Sequence, residues 1–426
     1  MADQDAPSSP ESSYSEPSIA GSPVSAMADG LTPYERRDRE TAAEIAKIEA
    51  DDTLDEAAKI DAVAKIQGWF RGDTTIIDAF LAGEIDEATA VERLAAPIEE
   101  AYSTANHGTA FYREEQVARS QRKYHSKEKA YEMWGPEQDF PEPTPEAAAL
   151  PTTEGQLWDL WYGILHAAKR LPWTSASPSD PAPQEKLVSL VRSLKARPDP
   201  PAPSPLTVPV RRNWIWQPGT LWSDLVMLGP SAREVWNDSC GCGAGWSGVE
   251  QRAWTRANAF VARLTALRLA DFRSYGAWAL SDAFEGPVDG RGSHRSTTRP
   301  VQLRLCVAVA AAWVLLAGPR MYAARALPEP ADVRDGSGSG SGGGGGGAGA
   351  GGFVVVPLDA RGKALPWLHK GDGYAYCTAR WDFWRRRFER EAANEEELAE
   401  DVRELCARSA EVIKELISSS SSSSST

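Results

Sequence analysis

The longest clear alternation of apolar and polar positions runs from Trp254 to Glu285. Ala257, Phe260, Val261, Leu264 and Leu267 recur at steps of three and four, which puts them on one face of an α-helix. The opposite face carries small or polar Thr255, Asn258, Ala262 and Thr265, with Arg252, Arg256 and Arg263 along one edge. After Ala270 the pattern restarts. Asp271, Ser274, Ser281, Asp282 and Glu285 form a narrow polar stripe, Tyr275 and Trp278 fall in or beside it, and Phe272, Ala277, Ala279, Leu280, Ala283 and Phe284 cover most of the remaining circumference, with Arg273 as the exception. A helix that is apolar nearly all round must be packed on several sides, so this second helix is predicted at the centre of the molecule. Asp271 has the chemistry of an N-cap separating two helices, and one bent helix is the alternative.

Helical spacing continues in both directions. Ile60, Val63, Ile66 and Phe70 give one stripe, and Val91, Leu94, Ala95, Ile98 and Tyr102 give another, capped by Asp86 and kinked at Pro97. The segment from Phe111 to Trp134 is more polar, and Arg119, Arg122, Lys123, Lys127 and Lys129 read as a solvated face. Pro136, Pro141, Pro143 and Pro145 end this region. Thr153 and Gln156 form a capping box for a helix carrying Leu157, Trp158, Trp161, Ile164 and Leu165. Leu187, Val188, Val191 and Leu194 mark a short helix between two proline clusters, where Lys195, Pro198 and Pro201 match the spacing of a PxxP ligand common to any proline-rich linker. Ser231 and Glu234 open a short helix bearing Trp236 in a connection that also holds Trp214, Trp216 and Trp222. The uncharged run Leu305 to Gly318 predicts a buried helix, and Val354 to Val356 a short strand or buried turn. Trp381, Trp384 and Phe388 open a last helical stripe, continued by Leu398, Val402, Leu405, Val412 and Leu416 and broken at Ser409.

The pattern therefore predicts an all-α, irregular multi-helix bundle with disordered termini and a Gly-rich internal tether. Residues 1–32 form a Ser/Pro-rich tail too poor in large apolar side chains to order itself, and 33–145 form an N-terminal helical region. The main helical domain spans 153–335 and 353–417, interrupted by the tether 336–352 and followed by the serine tail 418–426.

Composition changes this picture only at the margins. Hydrophobic residues make up 42% of the 426 and include 16 tryptophans, ample for a packed interior. The net charge of −14 disfavours nucleic acid and anionic membranes unless the basic residues segregate. Between Pro205 and Ala326 they do, with 14 arginines against eight acidic residues and no lysine. Arginine-only usage beside Ala- and Gly-rich tracts reads as compositional bias, so a nucleic-acid role is not expected. The Leu305 run is 14 residues, short of the roughly 20 that span a bilayer, so no membrane role is expected either. Five cysteines without framework spacing, and an N-terminus without an apolar leader, point to a cytoplasmic or nuclear protein.

Several segments carry a resemblance. Trp222-Ser223-Asp224-Leu225, Arg233-Glu234-Val235-Trp236-Asn237, Trp254 with Asn258-Ala259-Phe260, Tyr275 with Ala277-Trp278-Ala279-Leu280, and Arg380-Trp381-Asp382-Phe383-Trp384 resemble a fungal family of helical proteins classed only as a domain of unknown function. The resemblance covers Thr153 to Ile417 and implies a helical fold and a taxonomic setting, but no reaction. The Cys240-Gly241-Cys242-Gly243 segment, the glycine tether and the serine tail depart from the pattern as loop expansions.

Candidate chemistry is sparse. Gly243, Gly245 and Gly248 match Gly-x-Gly-x-x-Gly, but the residues before them read as a turn and not as the strand a dinucleotide site needs. Cys240 and Cys242 offer two thiolates where a closed zinc site needs four ligands. Asp289, Arg291, Ser293 and His294, and separately His369, Asp372 and Cys377, mix reactive side chains as polar loops do by chance. His166 reads as a hydrogen-bonded residue at the core edge. In Arg380 to Arg387, guanidinium groups over indole faces inside the fold are favoured over stacking on bases. No catalytic, cofactor-binding or metal residue is assigned and no cofactor is expected. The expected function is a non-catalytic helical scaffold binding protein partners through helix faces. The alternatives are a small-molecule binder or enzyme with a tryptophan-lined pocket, and a nucleic-acid-associated protein using an arginine-rich face.

Overall fold

The computed structural model describes residues 31–103, 107–175, 177, 179–201, 219–286, 297–324 and 378–423. Among them every regular element is helical: fifteen α-helices and one 3-10 turn, so the all-α expectation is met. The tether 336–352, the predicted strand at Val354 to Val356, and Trp214 and Trp216 lie outside the described residues.

Two helices form the axis of the core: α11 (Gly248–Ala266) and α13 (Arg299–Ala323). On α11 the predicted face from Ala257 to Leu264 is buried, while Leu267 is exposed because the helix has already ended. Its polar face is buried as well, since each group is satisfied locally or across the core. Thr265 Oγ1 donates to the Val261 carbonyl at 3.0 Å and accepts from Phe272 N at 3.2 Å. Asn258 Nδ2 donates to the Trp254 carbonyl at 3.0 Å, and its Oδ1 accepts from Trp313 Nε1 of α13 at 3.0 Å. The Leu305 run lies within α13, which is long and apolar enough to cross a membrane but packs its Val307, Ala310, Trp313, Val314 and Ala317 into the bundle.

The predicted central helix, α12 (Arg273–Phe284), is instead peripheral. It packs chiefly on α13, and its outer side leaves Trp278 about half exposed. Tyr275 stacks on Trp236 of the 3-10 turn and Trp278 is left outside it, so part of the aromatic face has no helix over it, which is why circumferential apolarity misled. Nor does Asp271 cap it: Phe272 is the N-cap residue, without a side-chain cap, and Asp271 instead holds the Arg273 backbone and guanidinium. At Gly276 a Cβ would fall 2.6 Å from Met321 Cε and 2.8 Å from Trp313, so glycine permits the close approach of α12 to α13.

The last stripe is two helices. α14 (Thr378–Ala392) and α15 (Glu400–Ser423) fold back on each other, and α15 lies along α13. Arg299 meets Glu397 at 2.8 Å at one end, and Tyr322 Oη lies 2.9 Å from Ser420 Oγ at the other, so α13 and α15 run parallel. The helix continues past Ile417 into the serine run. Ser409, the break in the stripe, is buried and returns its hydroxyl to the Leu405 carbonyl at 2.7 Å.

Helices α8 (Thr153–Arg170), α9 (Gln184–Lys195) and α10 (Leu228–Val235) complete the body. Gln184 ties α9 to α8 and α11, donating to the carbonyls of Ala168 at 3.2 Å and Arg256 at 2.8 Å. Two predicted caps shift. Thr152, not Thr153, caps α8 by accepting from Gly155 N at 3.0 Å, and α10 begins ahead of Ser231, which is buried inside it. Leu225 and Met227 take left-handed φ of 49° and 70° in the turn leading into α10.

Of the N-terminal helices, α1 (Pro33–Glu49) and α2 (Glu56–Gln67) form a small cluster of Ile45, Ile60 and Val63 with Val249 and Ala253 of α11. α3 (Thr75–Ala82) and α4 (Glu87–Ser103) pack on α8, with Asp86 receiving Thr89 N at 2.7 Å as predicted and Pro97 inside α4. Helices α5 (His107–Arg122), α6 (Lys127–Trp134) and α7 (Pro145–Ala149) stand apart, and none of their described residues joins either apolar cluster. Pro145, read as a terminator, is the first residue of α7, where its missing N–H costs nothing.

Candidate functional site: two clefts beside a closed aromatic core

Five of the described tryptophans form the core. Trp161, Trp222, Trp313, Trp381 and Trp384 are fully buried, and most of their N–H groups are satisfied across the bundle. Trp161 Nε1 donates to the Val226 carbonyl at 2.7 Å and Trp222 Nε1 to Glu99 Oε1 at 2.8 Å. Trp236 is half-buried, stacked on Tyr275 at 4.3 Å and edge-on to Trp254 at 5.0 Å, while Trp278 rests its edge on the same tyrosine from outside. These rings do not surround a hollow.

The Arg380 to Arg387 segment has the structural role predicted for it. Glu285, buried at the end of α12, accepts from Arg380 Nε at 2.6 Å and Nη2 at 2.8 Å, and from Trp384 Nε1 at 2.8 Å. The Arg380 guanidinium lies 4.9 Å over the Trp384 ring, and Arg387 lies over Phe284. Glu285 was missed as a partner because it lies 95 residues away in the chain.

The glycine motif of Gly243, Gly245 and Gly248 leads into the capping box of α11. Its free amides are taken by the chain's own Glu250, which accepts from Gly245 N at 2.7 Å and Ser247 N at 2.9 Å and from Gln67 Nε2 at 2.6 Å. Cys240 and Cys242 are free thiols, and no group of metal-ligating side chains gathers among the described residues. The loops holding Asp289, Arg291, Ser293 and His294, and His369, Asp372 and Cys377, lie outside the described residues.

Two concavities among the described residues are lined by charged side chains. The first lies between α8 and the α10 end, with a volume of about 480 Å³, walled by Trp69, Phe70 and Tyr162 and edged by Asp159, Glu234 and Asp238. Burial pushes the Tyr162 phenol up to about 12. Beside it sits a polar network on one face of α8. Lys169 Nζ is 2.7 Å from Asp238 Oδ2 and 4.5 Å over the Trp69 ring. Burial pushes the Lys169 ammonium down and the Asp238 carboxyl up, and their mutual attraction opposes both shifts. His166 stacks on Phe70 at 4.4 Å, with Nε2 2.7 Å from Asp61 Oδ1. Burial holds its imidazole below the ordinary histidine value, so Nε2 carries the proton toward the carboxylate and Nδ1 is a buried acceptor without a partner. Arg170 bridges Asp61 and Asp78. These groups pin α2, α3 and the α10 end onto α8, and their partners leave no nucleophile poised for chemistry.

The second concavity, of about 340 Å³, lies between α11, α13 and α15. Arg252, Arg256 and Arg304 line it with Gln251 and Thr255, over Leu305, Ala308, Val402 and Leu405. Spacing placed Arg252 and Arg256 on one helix edge, but no sequence signal joined them to Arg304 and Asp401, which come from helices that meet only in the folded bundle.

The fold and its surfaces thus define an all-helical protein with a closed aromatic core and no assembled catalytic constellation among the described residues. Residues 161–388 match the family described as "Protein of unknown function (DUF3632)", more than half of the chain, and the chain belongs to that family. No curated protein and no solved structure matches it.

Proposed function

We propose that the chain is a non-catalytic helical interaction protein whose docking surface is the arm α5–α7. One observation carries this. Of the seven large hydrophobic side chains left exposed among the described residues, five lie on the arm or its edge: Val117, Tyr124, Tyr131, Met133 and Leu150. Outside the arm only Leu267 and Trp278 are so exposed among the described residues, and a concentration of exposed apolar groups supports an interaction surface. The arm is internally braced: Glu115, nearly fully buried, takes the Arg122 guanidinium, and Arg119 reaches Glu137 at 3.0 Å. Lys123, Lys127 and Lys129 flank the tyrosines with Glu128 and Glu132 among them, so the partner fitted to this surface is a protein segment that brings an apolar strip and charges of both signs. A reducing compartment, cytoplasmic or nuclear, agrees with the free thiols of Cys240, Cys242, Cys306 and Cys406. Neither a membrane nor a nucleic acid enters this reading. Most arginines around the core face carboxylates, as in Arg252 with Glu56 and Arg263 with Glu185.

The test compares affinity capture by the native chain and by a Tyr124→Ser, Tyr131→Ser, Met133→Ser variant, with helical content and oligomeric state measured alongside. Reproducible partners lost in the variant are expected. Recovery of the same proteins by both chains removes the arm from the account, and a change in oligomeric state alone reassigns the surface to self-association.

A further inference from the structure

The arginine-lined cleft has a chemistry of its own, independent of the arm. Two of its guanidiniums are committed. Arg252 pairs with Glu56 through Nε at 2.7 Å and Nη2 at 3.1 Å, and Arg256 Nη1 lies 3.4 Å from the same carboxylate and donates to the Arg170 carbonyl at 3.2 Å. Arg304 is different. Its hydrogen bond among the described residues runs from Nη2 to Gln251 Oε1 at 3.0 Å, and no described carboxylate lies within ion-pair distance. Gln251 is more than nine-tenths buried and is fixed by its own donation to the Trp246 carbonyl at 2.7 Å. A buried, rigid amide therefore steadies a guanidinium that keeps most of its five donors uncommitted.

The surroundings narrow the ligand. Gly248 opens α11 and Val402 lies in the first turn of α15, but Glu250 already takes the amides at the first helix start and Asp401 stands at the second, so the guanidinium itself and not a helix N-terminus supplies the charge for a ligand. Leu305, Ala308, Val402 and Leu405 give it an apolar floor, and Asp401 stands on its wall. A volume of about 340 Å³ is at the small end of ligand sites. One uncommitted guanidinium matches one planar carboxylate, which it grips through two parallel hydrogen bonds. A phosphate dianion would bring two negative charges beside Asp401, where a monocarboxylate brings one.

We infer that this cleft binds a small monocarboxylic acid with an apolar body, the carboxylate on Arg304 and the body on Leu305, Ala308, Val402 and Leu405. The full chain is titrated calorimetrically with octanoate, 4-phenylbutyrate, the matching amide 4-phenylbutanamide, L-phenylalanine and inorganic phosphate. One-to-one binding of an acid is expected, with the amide at least roughly tenfold weaker, the weight of charge-assisted hydrogen bonds. Arg304→Ala loses about the same factor, Arg304→Lys falls between because it keeps charge without the fork, and Ala308→Trp blocks binding by filling the floor. Circular dichroism and the thermal midpoint of each variant separate a lost site from a lost fold. The inference is overturned if neither acid binds, if acid and amide bind alike, if Arg304→Ala binds like the native chain, or if phosphate binds more tightly. Tighter binding of L-phenylalanine that disappears in Asp401→Asn overturns the simple acid in favour of a zwitterion.

Discussion

The core helices α11 and α13 and the arm α5–α7 use similar residue types in opposite ways. On α11 even Thr255, Asn258 and Thr265 are buried, because each polar group finds a partner in the helix or across it. On the arm even Tyr131 and Met133 are exposed, because no described helix lies over them. Burial in this molecule follows the availability of a partner more closely than it follows hydropathy. The core should therefore respond to substitution in stability, and the arm in binding.

The largest effect is expected at Glu285. Glu285→Ala leaves Arg380 and the Trp384 N–H without their buried acceptor and should cost about 3–5 kcal/mol, read from the denaturation midpoint. A loss under about 1 kcal/mol would mean that α14 docks by apolar contact alone. Gly276→Ala should come next, at about 1–3 kcal/mol, because Met321 can give way but the Trp313 ring cannot without shifting α12. A neutral or stabilising result would show that the two helices separate easily.

His166 gives a smaller, pH-dependent effect. Its folded pKa lies below the ordinary histidine value, so on acidification the unfolded chain takes up a proton that the folded chain resists. This contribution is complete above about pH 6.5 and is lost as the pH falls below it. His166→Gln should flatten the stability profile between about pH 6.5 and 5, and an unchanged slope would assign that titration elsewhere. The smallest effect sharpens the comparison from the other side: Tyr131→Ser should move stability by less than about 0.5 kcal/mol while weakening partner capture. A large stability loss there would show that the arm is part of the core after all.

Local pattern was sufficient for most helices. Trp381, Trp384 and Phe388 all face inward as their spacing required, and the Leu305 run is buried as its composition required. Caps were legible only to within a residue or more: Thr152 and Thr153 offer the same hydroxyl, and only backbone geometry selects one. The candidate site was scarcely legible at all. Arg304 looked like one arginine among 14, and what distinguishes it is its place in a cleft beside the buried amide of Gln251, 53 residues earlier, with no described carboxylate within ion-pair distance.

By itself the amino-acid order determined the helical class of the protein and the inward faces of most helices, because three- and four-residue spacing is a property of neighbours along the chain. Tertiary structure alone decided that α11 and α13, not α12, form the axis, that Glu285 closes the aromatic core, and that one guanidinium is left uncommitted in a cleft. Those outcomes depend on contacts between residues far apart in the chain, and periodicity carries no information about them.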